Sequence, residues 1–171
     1  VLFTDMFDTK VYGIINGTTF EIHAAFGEFV AHSDCSSMFE SLETVRSIDF
    51  NNSFNTSQVT NMNQMFSGCF ALESIDVTGF DTSKVTNMES MFQECKMLTI
   101  LDPSGFNTSK VTNMNSMFQY CAVLTELDLS GFDTSKVTNM GSMFLYCTGL
   151  TELDISGFDT SKVTNMDSMF M

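Results

Sequence analysis

Tryptophan is absent, histidine occurs twice and proline once in 171 residues. Both histidines, His23 and His32, lie near the start, so no imidazole can serve an active site in the rest of the chain. No nucleophile–base–acid set, glycine-rich phosphate loop or HExxH is present, and the chain reads as a non-enzyme. Basic residues are scarce: seven Lys and Arg face 21 Asp and Glu, for a net charge of −14. That excludes the basic stripe of a nucleic-acid binder and adsorption to anionic lipid. No apolar run approaches the ~18 residues of a membrane-spanning helix, and the start does not resemble a signal peptide.

What is abundant is repetition. FDTSKVTNM begins at Phe80, Phe132 and Phe158, FNTSKVTNM at Phe106 and FNTSQVTNM at Phe54, all 26 residues apart. A fixed period of this size means stacked repeats. Met-Phe pairs recur at 38–39, 65–66, 91–92, 117–118, 143–144 and 169–170. The first spacing is 27, because FNNSF replaces VTGF, which predicts a one-residue bulge between Asp49 and Phe54. The division expected is an N-terminal cap over 1–37 and an array over 38–171. The array stops in mid-repeat, so the polypeptide is expected to continue beyond Met171. In the cap, Asn16-Gly17 predicts a hairpin with arms at 10–15 and 18–23, followed by a short helix or loop over 24–32.

One repeat predicts its own layout. Met114, Met117, Phe118 and Cys121 fall at i, i+3, i+4, i+7, which predicts a short helix over 115–121. Leu127 and Leu129 alternate with polar residues, which predicts a strand with both inward. Asp133-Thr134-Ser135 is turn chemistry, and 137–140 reads as a second short extended piece. Stacked coils turn each letter into a column. The Phe80 series is expected to be the apolar spine, and Pro103 to leave a gap in strand pairing.

The outward columns are the candidate sites. Asp49, Asp76, Asp102, Asp128 and Asp154 hold one repeat position, with Glu126 and Glu152 beside the last two. They are the candidate ligand-binding row. Carboxylate oxygens suit Ca²⁺, against the alternative that each Asp accepts backbone N–H bonds from a neighbouring turn. Gln58, Lys84, Lys110, Lys136 and Lys162 form a second row, read as register and edge protection. The Asn61, Asn87, Asn113, Asn139 and Asn165 column beside its Thr column is read as inter-coil bonding and helix capping. Cys69, Cys95, Cys121 and Cys147 share a position that Leu42 fills in the first coil, which predicts a buried free-thiol column. His23, His32 and Cys35 have no metal-binding motif. Asn16, Asn51, Asn55 and Asn107 head glycosylation sequons.

The string C-x-x-L-x-x-L-D-L-S-x-F-D-T-S-K-V-T-N-M-x-x-M-F, carried here by Cys121 through Phe144, resembles the 26-residue repeat of the BspA-like family of leucine-rich-repeat surface proteins. The resemblance covers 38–171. It departs from ordinary leucine-rich repeats in having Phe132 where their asparagine would sit. It implies an α/β repeat fold, a right-handed leucine-rich-repeat-type solenoid of short parallel strands and short helices behind an N-terminal cap. It also implies a cell-surface or extracellular adhesin or interaction module whose partner is a protein, a glycan or copies of itself. The alternative is a structural stalk or filament component.

Overall fold

In the computed structural model, which describes residues 3–4, 10–24, 29–51 and 53–171, each 26-residue coil lies against the next. Seven short strands occur in chain order: β1 Phe3–Thr4, β2 Lys10–Asn16, β3 Thr19–Ala24, β4 Phe29–Val30, β5 Ser47–Asp49, β6 Phe54–Asn55 and β7 Ser74–Ile75. A mixed five-stranded sheet runs β1-β2-β3-β5-β7, and β4 pairs with β6 alone. β1, β2 and β3 are antiparallel. β3 joins β5 in parallel, with Phe20 opposite Ile48, and so ties the hairpin to the first repeat. Gly17 takes φ +64 at the first loop position between β2 and β3, a conformation that glycine adopts without strain. The part of 24–32 between Ala24 and Phe29 lies outside the described residues; its far end is β4.

In-register pairing begins upstream of Met38. Phe29 pairs with Phe54, and Asp34 bridges Asn61 in parallel. The bridge then repeats once per coil through Asn87, Asn113, Asn139 and Asn165. The second extended piece expected at 137–140 is therefore a single bridged residue. The strand expected at Leu127–Leu129 is not hydrogen-bonded as a strand either. Pairing in that column ends with β5–β7 and one bridge, Ser74 to Ile100. Leu124, Leu127 and Leu129 are nonetheless buried. The lapse expected locally at Pro103 extends through the later coils.

The expected helix is not there, and no helix occurs among the described residues; the helix-bearing leucine-rich-repeat solenoid is therefore the wrong architecture. The backbone shows why. Met114, Ser116, Phe118 and Tyr120 donate their N–H groups to Asn139, Gly141, Met143 and Leu145 of the next coil, at 2.8–3.0 Å. The intervening Met117, Gln119 and Cys121 donate to the carbonyl three residues back. An α-helix would send every one of these N–H groups four residues back along its own axis. Instead this segment is a run of overlapping turns. Ser116 (φ 56) and Tyr120 (φ 62) are left-handed, as are their equivalents in the other coils. Each such residue costs roughly 1–2 kcal/mol. Four inter-coil bonds at about 1 kcal/mol each, together with core burial, offset this.

The core lies inside the stack. Met114, Met117, Phe118, Cys121 and Leu124 have no exposed surface, and their column mates in the two preceding coils are equally enclosed. The aromatic spine is not the Phe80 series. Phe54 and Phe80 meet at 5.4 Å, but no ring contact continues to Phe106, Phe132 or Phe158 among the described residues, though Phe106 and Phe132 are buried. The continuous stack belongs to the Met-Phe pairs. Phe39, Phe66, Phe92, Phe118, Phe144 and Phe170 follow one another at 5.4–6.1 Å with ring planes within 11°.

A buried hydroxyl column completes the register. Thr108 Oγ1 donates to the Asp133 carbonyl at 3.0 Å and accepts the Asp133 N–H at 2.8 Å. Thr82 and Thr134 do the same with Asn107 and Asp159. These threonines are 1% exposed. Thr108→Val keeps the shape and strands both backbone groups, so it is expected to cost ~1–3 kcal/mol. Thr108→Ser is expected to recover most of that loss in urea denaturation.

Candidate functional site

The outward Asp row is built by local turn chemistry. Each carboxylate accepts, through Oδ1, the N–H of the residue two positions on: Asn51 for Asp49 at 2.7 Å, Thr78 for Asp76 at 3.0 Å, Ser104 for Asp102 at 3.0 Å, and Ser130 and Ser156 for Asp128 and Asp154 at 2.9 Å. Thr78 adds its hydroxyl to Asp76 at 2.7 Å. All five Asp residues are exposed. Hydrogen bonds from Thr78 hold Asp76 below the ordinary carboxylate range. Ser104, Ser130 and Ser156 do the same for Asp102, Asp128 and Asp154. Repulsion from Asp128 and Asp76 acts the other way on Asp102 and is weaker.

At the first coils the row opens into a groove of about 880 Å³ lined by Asp49, Phe50, Asn51, Asp76, Phe80 and Asp81 among others. Asp49 and Asp76 are thus joined by Asp81, which the repeat places in another column. Asp102, Asp128 and Asp154 continue the row beyond the groove, with Glu126 and Glu152 exposed alongside. Asn51 shapes the wall: it is left-handed (φ 48) and its Nδ2 donates to the Ile22 carbonyl of β3 at 2.9 Å. Asn52, within the expected bulge, lies outside the described residues.

No group of three or more His, Cys, Asp or Glu side chains converges as metal ligands among the described residues. The row runs along the stack and does not close on a point where Ca²⁺ would sit. In the cap, His23 Nε2 lies 3.0 Å from Glu21, while Cys35 Sγ donates to the His32 carbonyl.

The other columns are structural. Lys84 Nζ donates to Gln58 Oε1 of the preceding coil at 2.9 Å. No Lys of this row makes an ion pair within 4.0 Å of an Asp among the described residues. Its charge acts at longer range, with Lys84 and Lys110 helping Ser83 to depress Asp81. The Asn column caps turns rather than helices: Asn113 Oδ1 accepts the Asn115 N–H at 3.0 Å. The neighbouring hydroxyls bond back one coil, Thr112 Oγ1 to the Thr86 carbonyl at 3.2 Å. The cysteines are free and mostly buried. Cys121 Sγ donates to the Phe92 carbonyl at 3.3 Å.

Sequence reasoning missed the groove and the Thr82–Thr108–Thr134 column. The latter had a signal, since Thr is kept at that position in every repeat where Ser would equally make a turn. The groove had none, because it needs an irregular loop and a neighbouring coil together.

No curated protein and no solved structure matches the chain. The family described as "Mycoplasma protein of unknown function, DUF285" matches residues 31–101 and again 99–171. With both copies of the match falling on the stacked repeats, the chain belongs to that family.

Proposed function

We propose that the chain is a surface-displayed interaction module, an adhesin that presents one face of its repeat stack to an extracellular protein or glycan. One observation carries the reading. Each Asp of the row is held by a bond from its own turn to one carboxylate oxygen and stands exposed, at the same place in every coil. The result is a row of acceptors fixed before any ligand arrives, and preorganisation of this kind lowers the entropy lost on binding. Acceptors in a row suit a ligand rich in hydroxyl or ammonium donors. The groove beside Asp49, Asp76 and Phe50 supplies the concave start of that face.

The test is binding of the chain to immobilised matrix proteins and mucin glycans, alone and as the Asp76→Asn/Asp102→Asn/Asp128→Asn variant. Asparagine keeps the Oδ1 acceptor and therefore the turn, and replaces the second oxygen by an NH2 donor, so the charge and the second acceptor go together. Saturable binding is expected, weakened about tenfold or more in the variant, a loss of at least ~1.4 kcal/mol. Binding unchanged in the variant, or no binding to any panel member, overturns the reading.

A further inference from the structure

Outside the hairpin and residues 144–171, the large hydrophobics that stand exposed among the described residues are Met97, Ile100 and Val123. All three fall at the corner where the run of turns hands over to the next stretch, at repeat positions three residues apart. Met97 and Val123 hold the same repeat position one coil apart. Ile100 is 68% exposed, the most of the three. Nothing in the stacking requires these letters, since Ala71 and Gly149 occupy the Met97 position and Ser74 the Ile100 position in other coils. The contrast with 80–92, repeated almost unchanged at 132–144, is plain. Exposed apolar side chains at positions where other coils carry small or charged residues form a candidate contact surface.

Charge selects the occupant. Glu126 and Glu152 continue the Ile100 column into the next two coils, and neither makes an ion pair among the described residues. Lys96 is already engaged, with Glu94 at 3.0 Å and over the Phe70 ring at 4.6 Å. Arg46 is held by Glu73 at 2.8 Å. The corner therefore offers apolar contact with unpaired carboxylates at its edge. A second copy of this chain would bring a further charge of −14, and an anionic bilayer would be repelled in the same way.

We propose that this corner docks a cationic amphipathic segment of another polypeptide, its apolar side chains on Met97, Ile100 and Val123 and its Lys or Arg residues on Glu126 and Glu152. This rests on the reading of the chain as an interaction module, and extends it to a patch that adjoins the Asp row, with Glu126 and Glu152 two residues before Asp128 and Asp154. The probe is a fluorescent amphipathic peptide of leucine and lysine, with a leucine–glutamate peptide of the same pattern as control. Anisotropy is expected to show saturable binding of the first and none of the second. Met97→Ser/Ile100→Ser/Val123→Ser is expected to weaken it at least tenfold. Glu126→Gln/Glu152→Gln is expected to weaken it and flatten its salt dependence, while Asp76→Asn/Asp102→Asn/Asp128→Asn has a smaller effect than either. Equal binding by the serine variant, uptake of the glutamate peptide, or serine-sensitive self-association in sedimentation would each overturn the proposal. If the corner fails while matrix or mucin binding persists and depends on the Asp row, the module reading stands without this one; failure of both assays removes both.

Discussion

Phe118→Ala is expected to lower stability by ~3–5 kcal/mol in chemical denaturation, the range for emptying a fully buried phenylalanine site. Phe118 is fully enclosed, with Phe92 at 6.1 Å on one side and Phe144 at 5.9 Å on the other. The cavity would lie between coils. In a stack held by nearest-neighbour contacts, one weak interface divides the array. Phe132→Ala is the informative comparison. Phe132 is also buried, at 5% exposure, but has no ring neighbour among the described residues. It is expected to cost less by about 1 kcal/mol, the contribution of an aromatic pair beyond burial. Equal losses at the two sites would show that the Met-Phe rings are packing volume and not a spine.

Alkaline pH is expected to have the second large effect. Burial pushes the Cys35 thiol up to about 12 and Cys69 and Cys147 up to about 11. It also raises Cys95 and Cys121 well above the usual thiol value of 9.0. The folded chain thus holds these protons more tightly than the unfolded one. The stability this contributes is complete below pH 9 and is lost as pH rises through 9 towards about 11 and beyond. For Cys69 and Cys147 the linkage amounts to roughly 1–3 kcal/mol each. Thermal melts across this window are expected to fall more steeply for the native chain than for a variant with Cys69, Cys95, Cys121 and Cys147 replaced by alanine. The difference between the two slopes removes the contribution of groups other than these thiols. Thiol reagents at about pH 8, where roughly a quarter of free thiols ionise, are expected to label the folded chain slowly and the unfolded chain fast. Rapid labelling of the folded chain would mean that the column opens.

The register of this fold was legible because identical letters at a constant spacing have one economical arrangement. The Asn61-to-Asn165 bridges and the enclosed Met, Phe, Cys and Val columns are that arrangement. The run of turns was not legible, for a specific reason. Apolar residues at i, i+3, i+4, i+7 mark one face of a helix, but two consecutive four-residue turns place Met114, Met117, Phe118 and Cys121 on one side equally well. Left-handed residues decide between them, and here Ser116 and Tyr120 carry no glycine signature; in the equivalent positions only Gly68 does. The aromatic spine was assigned to the wrong phenylalanine for a related reason. Periodicity says which residues recur, and the side-chain direction that lets rings meet depends on the turn geometry. Of the candidate row, the Asp-to-Ser or Asp-to-Thr spacing already carried the turn bond, whereas the partnership of Asp49 and Asp76 with Asp81 required the irregular loop at 50–53.

The inter-coil hydrogen bonds have a consequence for reach. Coils paired this way advance only ~4.8 Å apiece, while the same 26 residues wound as an α-helix would extend about 39 Å. A tether of about 100 Å built from this unit would need roughly 20 coils, more than 500 residues. Added repeats therefore lengthen the stack slowly for the residues they use. Each one also adds another coil's worth of outward face, so reach is gained only together with surface.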